Sequence, residues 1–321
     1  MAGLRGNQAW WGWGKQSVKG TAASIAFKSP FSGGSIGPTR NTAQLSETDA
    51  NRDEGVTYVE QAGAEGSPEM YVRDSNIHSI LNAALGSTAT TGTSPNYIHT
   101  ITPANNIPYL TMWRMLGGTL WEKYEDCMIS ELTISSDTAA PLTATLSTVG
   151  RESERLTADP DGLVVPASSA VYNFNEATVT AHGGATALIS NFELTLSNNV
   201  TVQQTDDVKP YDVVAGLRSL TVGYDMIFET LDAYNVFHYG SSSGTDQTAA
   251  ITETALTFVF SKGTNNSISF SIPHAAVEEF PVDPDPGGDP VVASVRTRAQ
   301  RHPSDPILTA VVKNQKATID D

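Results

Sequence analysis

Strict alternation of apolar and polar residues, repeated along most of the chain, confines this sequence to a sheet architecture. Phe192, Leu194 and Leu196 alternate with Asn191, Glu193, Thr195 and Ser197. Leu220, Val222, Tyr224, Met226 and Phe228 alternate with Ser219, Thr221, Gly223, Asp225 and Glu229, broken only by Ile227. Ile268, Phe270 and Ile272 alternate with Ser267, Ser269 and Ser271. A period of two sends successive side chains to opposite faces of a strand, so each run is half buried. The expected fold is mainly β: packed antiparallel sheets, sandwich- or barrel-like, with long loops.

One stretch has a different period. Ile77, Ile80, Leu81, Ala84 and Leu85 recur at helical spacing, with Asp74 or Ser75 placed to cap the start and Gly86 to end it. The expectation is one amphipathic helix lying on a sheet. A shorter helical pattern covers 231–238. Residues 255–260 and 267–272 read as a hairpin across Lys262-Gly263-Thr264-Asn265-Asn266. Residues 87–96, 150–170, 203–216 and 240–250 read as loops, and Asp283 to Pro290 as a strong breaker. No domain linker stands out.

Charge is low in amount and uneven in place. Only 17% of the 321 residues are charged, and the net charge is −16. Residues 1–46 carry Arg5, Lys15, Lys19, Lys28 and Arg40 with no acid, giving +5. The other 275 residues carry 14 basic and 35 acidic groups, giving −21. Such a body repels phosphate backbones and does not grip nucleic acid. The division expected is a basic, Gly-rich N-terminal arm over 1–46 and a β domain over 47–321. Trp10, Trp11 and Trp13 cluster in the arm, where two readings stay open. Either they pack against their own domain, or, with Lys15 and Lys19, they anchor on another subunit, where Trp is favoured as a hot spot. On the second reading, removing the arm leaves a folded chain that cannot polymerise.

Motifs for chemistry are missing from the sequence. Six histidines (His78, His99, His182, His238, His274 and His302) show no metal-ligand spacing to one another or to Cys127. Acidic groups gather at Glu122, Glu125 and Asp126, at Asp206 and Asp207, and at Asp283, Asp285 and Asp289. The last resembles a calcium loop only superficially, since it lacks the closing Glu and carries three prolines, and nothing in the sequence favours a convergent carboxylate pair. No P-loop, GxGxxG or GxSxG serves a strand–helix turn. We expect neither an enzyme nor a cofactor. The single Cys127 permits no intrachain disulfide. The N-terminus lacks the apolar run of a signal peptide, and no stretch is long enough to span a membrane.

The order of short motifs resembles that of phage tail tube proteins, the major tail proteins of long-tailed bacteriophages. The carriers begin with Trp13-Gly14-Lys15-Gln16-Ser17-Val18-Lys19-Gly20-Thr21-Ala22-Ala23, where Gln and Ser stand in place of the family's usual Glu and Thr. Glu47-Thr48 follows with Arg52 close behind, then the helix ending in Leu85-Gly86, the strand Tyr97–Thr102 and the turn Ile107-Pro108. Gly117-Gly118, Tyr124-Glu125-Asp126-Cys127, Leu194-Thr195-Leu196-Ser197-Asn198-Asn199, Ile272-Pro273-His274-Ala275 and a strand ending near Asn314 complete the order.

The resemblance implies a virion protein, assembled in the bacterial cytoplasm, whose subunits form rings, typically hexameric, that stack into a hollow tube. Its implied partners are other copies of itself, the tape measure protein and the tail terminator and distal tail proteins. DNA would pass through the lumen without specific binding. On this reading Glu131, Glu193, Asp225 and Glu229, at polar strand positions, are candidates to line the lumen or the outer face. Competing assignments are a phage β-sandwich binding module and a capsid decoration protein.

Overall fold

The computed structural model describes residues 5–47, 53–160, 170–181, 185–186, 188–229, 231–282 and 290–319. Strands β1 (Ala9–Lys15), β2 (Phe27–Ser29) and β3 (Ile36–Gln44) come first, then β4 (Thr57–Gly66), β5 (Glu69–Tyr71) and helix α1 (Ile77–Leu85). There follow β6 (Gly86–Thr93), β7 (Asn96–Pro103), β8 (Leu110–Leu116), β9 (Leu120–Asp137), β10 (Thr143–Gly150) and β11 (Glu152–Leu156). The next group is β12 (Ala177–Ala181), β13 (Ala185–Thr186), β14 (Ile189–Ser197), β15 (Thr201–Gln203), β16 (Asp212–Val214) and β17 (Ser219–Ile227). Helix α2 (Asp232–Tyr239) and β18 (Glu253–Lys262), β19 (Asn266–Glu279), β20 (Val292–Ala299) and β21 (Thr309–Asn314) complete the chain.

The fold is mainly β, and its antiparallel sheets do not close into a barrel. One sheet runs β10–β9–β14–β17–β20, and the other runs β12–β18–β19–β21–β7–β6. They meet at β19. It pairs with β18 and β21 over Ser267–Ser271, then takes β20 as partner from Ala275. The apolar faces oppose each other. The Phe192 ring of the first sheet lies 4.5 Å from Phe258 and 5.7 Å from Phe260 of the second. Each such side chain contributes roughly 1.5–3 kcal/mol by leaving water.

Strand β9 is shared in the same way. Its first half pairs with β8 and β11, its second with β10 and β14. The exchange falls beside Asp126, which adopts φ 51°, a left-handed conformation that Asp tolerates. Its fully buried carboxylate receives Arg151 Nε at 2.6 Å and the Gly20 N–H at 2.7 Å, so the bend is locked by charge-assisted bonds.

Helix α1 lies deeper than its one-sided apolar pattern suggested: all nine of its residues are buried, His78, Ser79 and Asn82 among them. Gly86 ends it with φ 101°, as its position suggested, while the N-cap is Asn76. The 87–96 stretch, expected as a loop, is β6 and the turn that pairs it with β7. β11 likewise occupies part of the expected loop at 150–170, and β16 part of that at 203–216.

The N-terminal segment is built into the fold. β1 pairs with β8 along its whole length, from Ala9↔Leu116 to Lys15↔Leu110, and with β2 on its other side. Glycines make this crossing possible. A Cβ on Gly14 would stand 2.0 Å from the Ser24 carbonyl oxygen, and one on Gly12 would stand 2.7 Å from that of Phe27. The Gly-rich composition that suggested a free arm instead permits close backbone packing.

Candidate assembly surfaces

The first sheet turns a continuous polar face outward. Its register sets Ser147, Glu131, Ser197 and Ser219 in one row, and Thr145, Thr133, Thr195, Thr221 and Arg298 in the next. A third row holds Thr143, Ser135, Glu193, Gly223 and Arg296, and a fourth holds Asp137, Asn191, Asp225 and Ser294. Three of the acids nominated from sequence, Glu131, Glu193 and Asp225, thus share one face. Glu229 does not join them: β17 ends at Ile227, and Glu229 lies exposed beyond the strand.

Hydroxyls and amides bind this face together. Thr133 Oγ1 and Thr195 Oγ1 lie 3.3 Å apart, and Ser135 Oγ and Thr143 Oγ1 lie 3.2 Å apart. Asp225 accepts from Ser294 Oγ at 2.6 Å and from Asn191 Nδ2 at 2.5 Å. A shallow groove of about 610 Å³ runs across the rows, bordered by Asp137, Glu193, Asp225 and Arg296. Four carboxylates (Glu131, Asp137, Glu193 and Asp225) face two guanidiniums (Arg296 and Arg298), and Arg298 is paired with Glu278. The face is acidic on balance, with its positive groups confined to β20.

The second sheet's outer face is almost uncharged. Ser267, Ser269 and Ser271 of β19 lie beside Thr257 and Val259 of β18 and Thr309, Val311 and Lys313 of β21. Beyond them come Ile98 and Thr100 of β7 and then the Thr-rich β6. Among the described residues β6 pairs only with β7, and β3 only with β4, so each offers an open hydrogen-bonding edge. The β3–β4 hairpin ends in exposed apolar side chains: Leu45 at 46%, Val56 at 74% and Tyr58 at 46% of full exposure. Sequence reading passed over these three because no periodicity marks them.

The nominated anchor residues are engaged inside their own chain. Trp11 and Trp13 are 0% and 1% exposed. Their rings lie 4.7 Å apart, Trp13 stacks on Phe27 at 5.3 Å, and its Nε1 donates to Ser79 Oγ of α1 at 3.1 Å. Trp10, on the opposite face of β1, packs with Ile25 and Trp113 under the Lys28 ammonium, 4.0 Å above its ring. Lys15 donates to Asn82 Oδ1 at 3.4 Å. Lys19 pairs with Asp212 at 2.8 Å and lies over the Tyr211 ring. The packing alternative is the one this conformation displays, and no Trp ring of β1 projects as an anchor.

The remaining titratable residues mostly hold the scaffold. Glu122 receives Arg114 and the Tyr124 hydroxyl, and Glu125 pairs with Lys123 at 2.7 Å. His78 and His99 stack at 5.1 Å in the core, and His99 Nε2 lies 3.1 Å from Asn314 Oδ1. Burial pushes the Cys127 thiol up, which keeps it protonated and inert. His182, Asp283, Asp285 and Asp289 lie outside the described residues, as do Thr48 and Arg52.

Paired strands, internal ion pairs and broad polar faces define a mainly β scaffold. A family model described as phage tail tube protein matches residues 6–299 of the 321, and the chain belongs to that family. The family is structural and not one of enzymes, and membership makes the chain a virion component. A comparison with curated proteins finds no match. No helix among the described residues is long and apolar enough to cross a membrane.

Proposed function

We propose that this chain polymerises as stacked, six-membered rings into the hollow tail tube through which phage DNA enters the host. The observation that carries the reading is the acidic face of β10–β9–β14–β17–β20, wide, hydroxyl-rich and free of apolar side chains in its four rows. Such a wall, turned to the lumen, repels phosphates and offers DNA no adhesive contact as it slides. Contacts between non-identical surfaces close a ring or propagate along an axis. The open edges of β3 and β6 and the apolar tip at Leu45, Val56 and Tyr58 supply surfaces of that kind. During assembly the lumen would hold the tape measure protein, and the tube's ends would meet the tail terminator and distal tail proteins.

Negative-stain electron microscopy of the purified full chain, concentrated and incubated for days, tests the reading. Rings or hollow tubes of one diameter are expected, and their end views give the symmetry. A chain that stays monomeric at every concentration while binding a defined glycan on an array would overturn it in favour of a binding module.

A further inference from the structure

The strand exchange at β19 gathers a cluster that the tube reading does not use. Residues 272–274 lie where β19 leaves β21 and takes up β20. The segment joining β20 to β21 crosses this point, fixed at its start by the Gln300 N–H donating to the His274 carbonyl at 2.8 Å. It continues as His302-Pro303-Ser304-Asp305-Pro306, in which two prolines restrict the backbone.

The side chains converge. The His274 and His302 rings stack with centroids 3.9 Å apart. Asp305 Oδ2 lies 3.1 Å from His274 Nε2 and 3.1 Å from His302 Nδ1. On the far side of His274, Glu253 Oε2 of β18 lies 3.5 Å from Nδ1.

Counting protons shows what is missing. A neutral imidazole has one N–H and one lone pair. The Ser304 N–H lies 3.3 Å from His302 Nδ1, which places a lone pair on that nitrogen, yet a carboxylate oxygen faces it as well. His274 has a carboxylate at each nitrogen and, when neutral, one proton to give. Two carboxylates crowd the two rings, and a cation placed among them answers that charge.

We propose that His274 Nε2, His302 Nδ1 and Asp305 Oδ2 bind a divalent transition-metal cation such as zinc, with water completing the coordination. Tetrahedral zinc with ordinary N and O bonds sets its ligand atoms about 3.3 Å apart, and the two 3.1 Å separations come close to this. Glu253, accepting the Nδ1–H of His274, directs the Nε2 lone pair toward the metal. Imidazole nitrogen selects zinc, nickel, cobalt or copper over magnesium and calcium. The two rings must swing out of their stack, and His302 Nδ1 must release the Ser304 N–H, to aim both lone pairs at one point; the His302 side chain is partly exposed. The bound ion would clamp the β20–β21 segment onto β19, at the seam of the two sheets.

The test is calorimetric titration of the tag-free full chain with zinc chloride at neutral pH, paired with thermal unfolding. One equivalent per chain and a raised midpoint are expected, with no such change from magnesium. His302→Ala, at a partly exposed position, should keep the native circular dichroism, weaken binding by about tenfold or more and remove the thermal shift. His238→Ala, in α2, should leave both unchanged. Absence of saturable binding, or equal binding by wild type, His302→Ala and His274→Ala, would overturn the proposal.

Discussion

The indole N–H of Trp13 donates to the hydroxyl of Ser79 at 3.1 Å, tying strand β1 to helix α1 across 66 residues of sequence. The bond is buried, and Trp13 stacks on Phe27, whose ring meets His78 of α1 edge-on. Trp13→Ala is expected to cost about 3–5 kcal/mol in urea unfolding, from lost contacts and the cavity left behind. Trp13→Phe, which leaves the Ser79 hydroxyl without its donor, should cost about 1–3 kcal/mol. A chain starting at Glu47 lacks β1, β2 and β3 and should show no cooperative unfolding, in place of the folded, assembly-deficient chain expected of a free arm. An unchanged urea midpoint for Trp13→Ala would contradict this account.

Acid and alkali should loosen the same corner by different groups. Burial opposes ionisation of Asp212, but hydrogen bonds from Lys19, Tyr109 and the Val213 N–H outweigh it and hold the carboxyl below its usual range. That stabilisation is complete above the unfolded value of about 4 and is lost as pH falls through the folded value. Tyr109, by burial first and then by its hydrogen bond to Asp212, is pushed up to about 12. Its contribution holds below about 10 and fades as pH rises toward that folded value. Asp212→Asn should flatten the acid side of a stability–pH curve and Tyr109→Phe the alkaline side, as read by urea midpoints across pH.

Replacing the exposed hairpin tip separates folding from assembly. Leu45→Ser, Val56→Ser and Tyr58→Ser remove apolar surface that touches solvent, and each should change stability by no more than about 0.5 kcal/mol. On the proposed function the triple variant should stay monomeric under conditions where the parent chain forms tubes. Sedimentation of both proteins side by side decides the matter, and tubes of normal yield would remove the tip from the assembly surface.

Reversing charge on the acidic face should make a slippery wall sticky. Tubes carrying Glu131→Lys and Glu193→Lys are expected to retain duplex DNA, with affinity falling steeply as salt rises. Wild-type tubes should retain none. If the variant tubes bind DNA no better than the parent, the face is hidden between subunits and does not line the lumen.

The alternation that marks β14, β17, β18 and β19 was legible because each has one face in the core and one in water. β1 was not legible for the opposite reason. Buried on both faces, Trp-Trp-Gly-Trp-Gly has no period, and its glycines resemble those of a loop until Ser24 and Phe27 are seen crossing them. β6 hid by exposure, since a strand of Ser, Thr, Gly and one Ala with little buried surface carries no hydrophobic signal. Parity marked Glu131, Glu193 and Asp225 as polar strand positions, which the register sets on one face, but it ran past the end of β17 at Glu229. That the three acids share a face depends on β9, β14 and β17 being neighbours, an order that sequence does not state. His274 and His302 likewise show no ligand spacing in the sequence, because the exchange of partners at β19 is what brings them together.

That exchange has a mechanical meaning. A sandwich whose two sheets touch only through side chains can shear, one sheet sliding over the other as oil-like contacts re-form. Here a single fourteen-residue strand is stitched into both sheets, so sliding would have to tear a backbone ladder. The subunit should therefore answer bending or internal pressure as one stiff block, leaving compliance to the joints between copies.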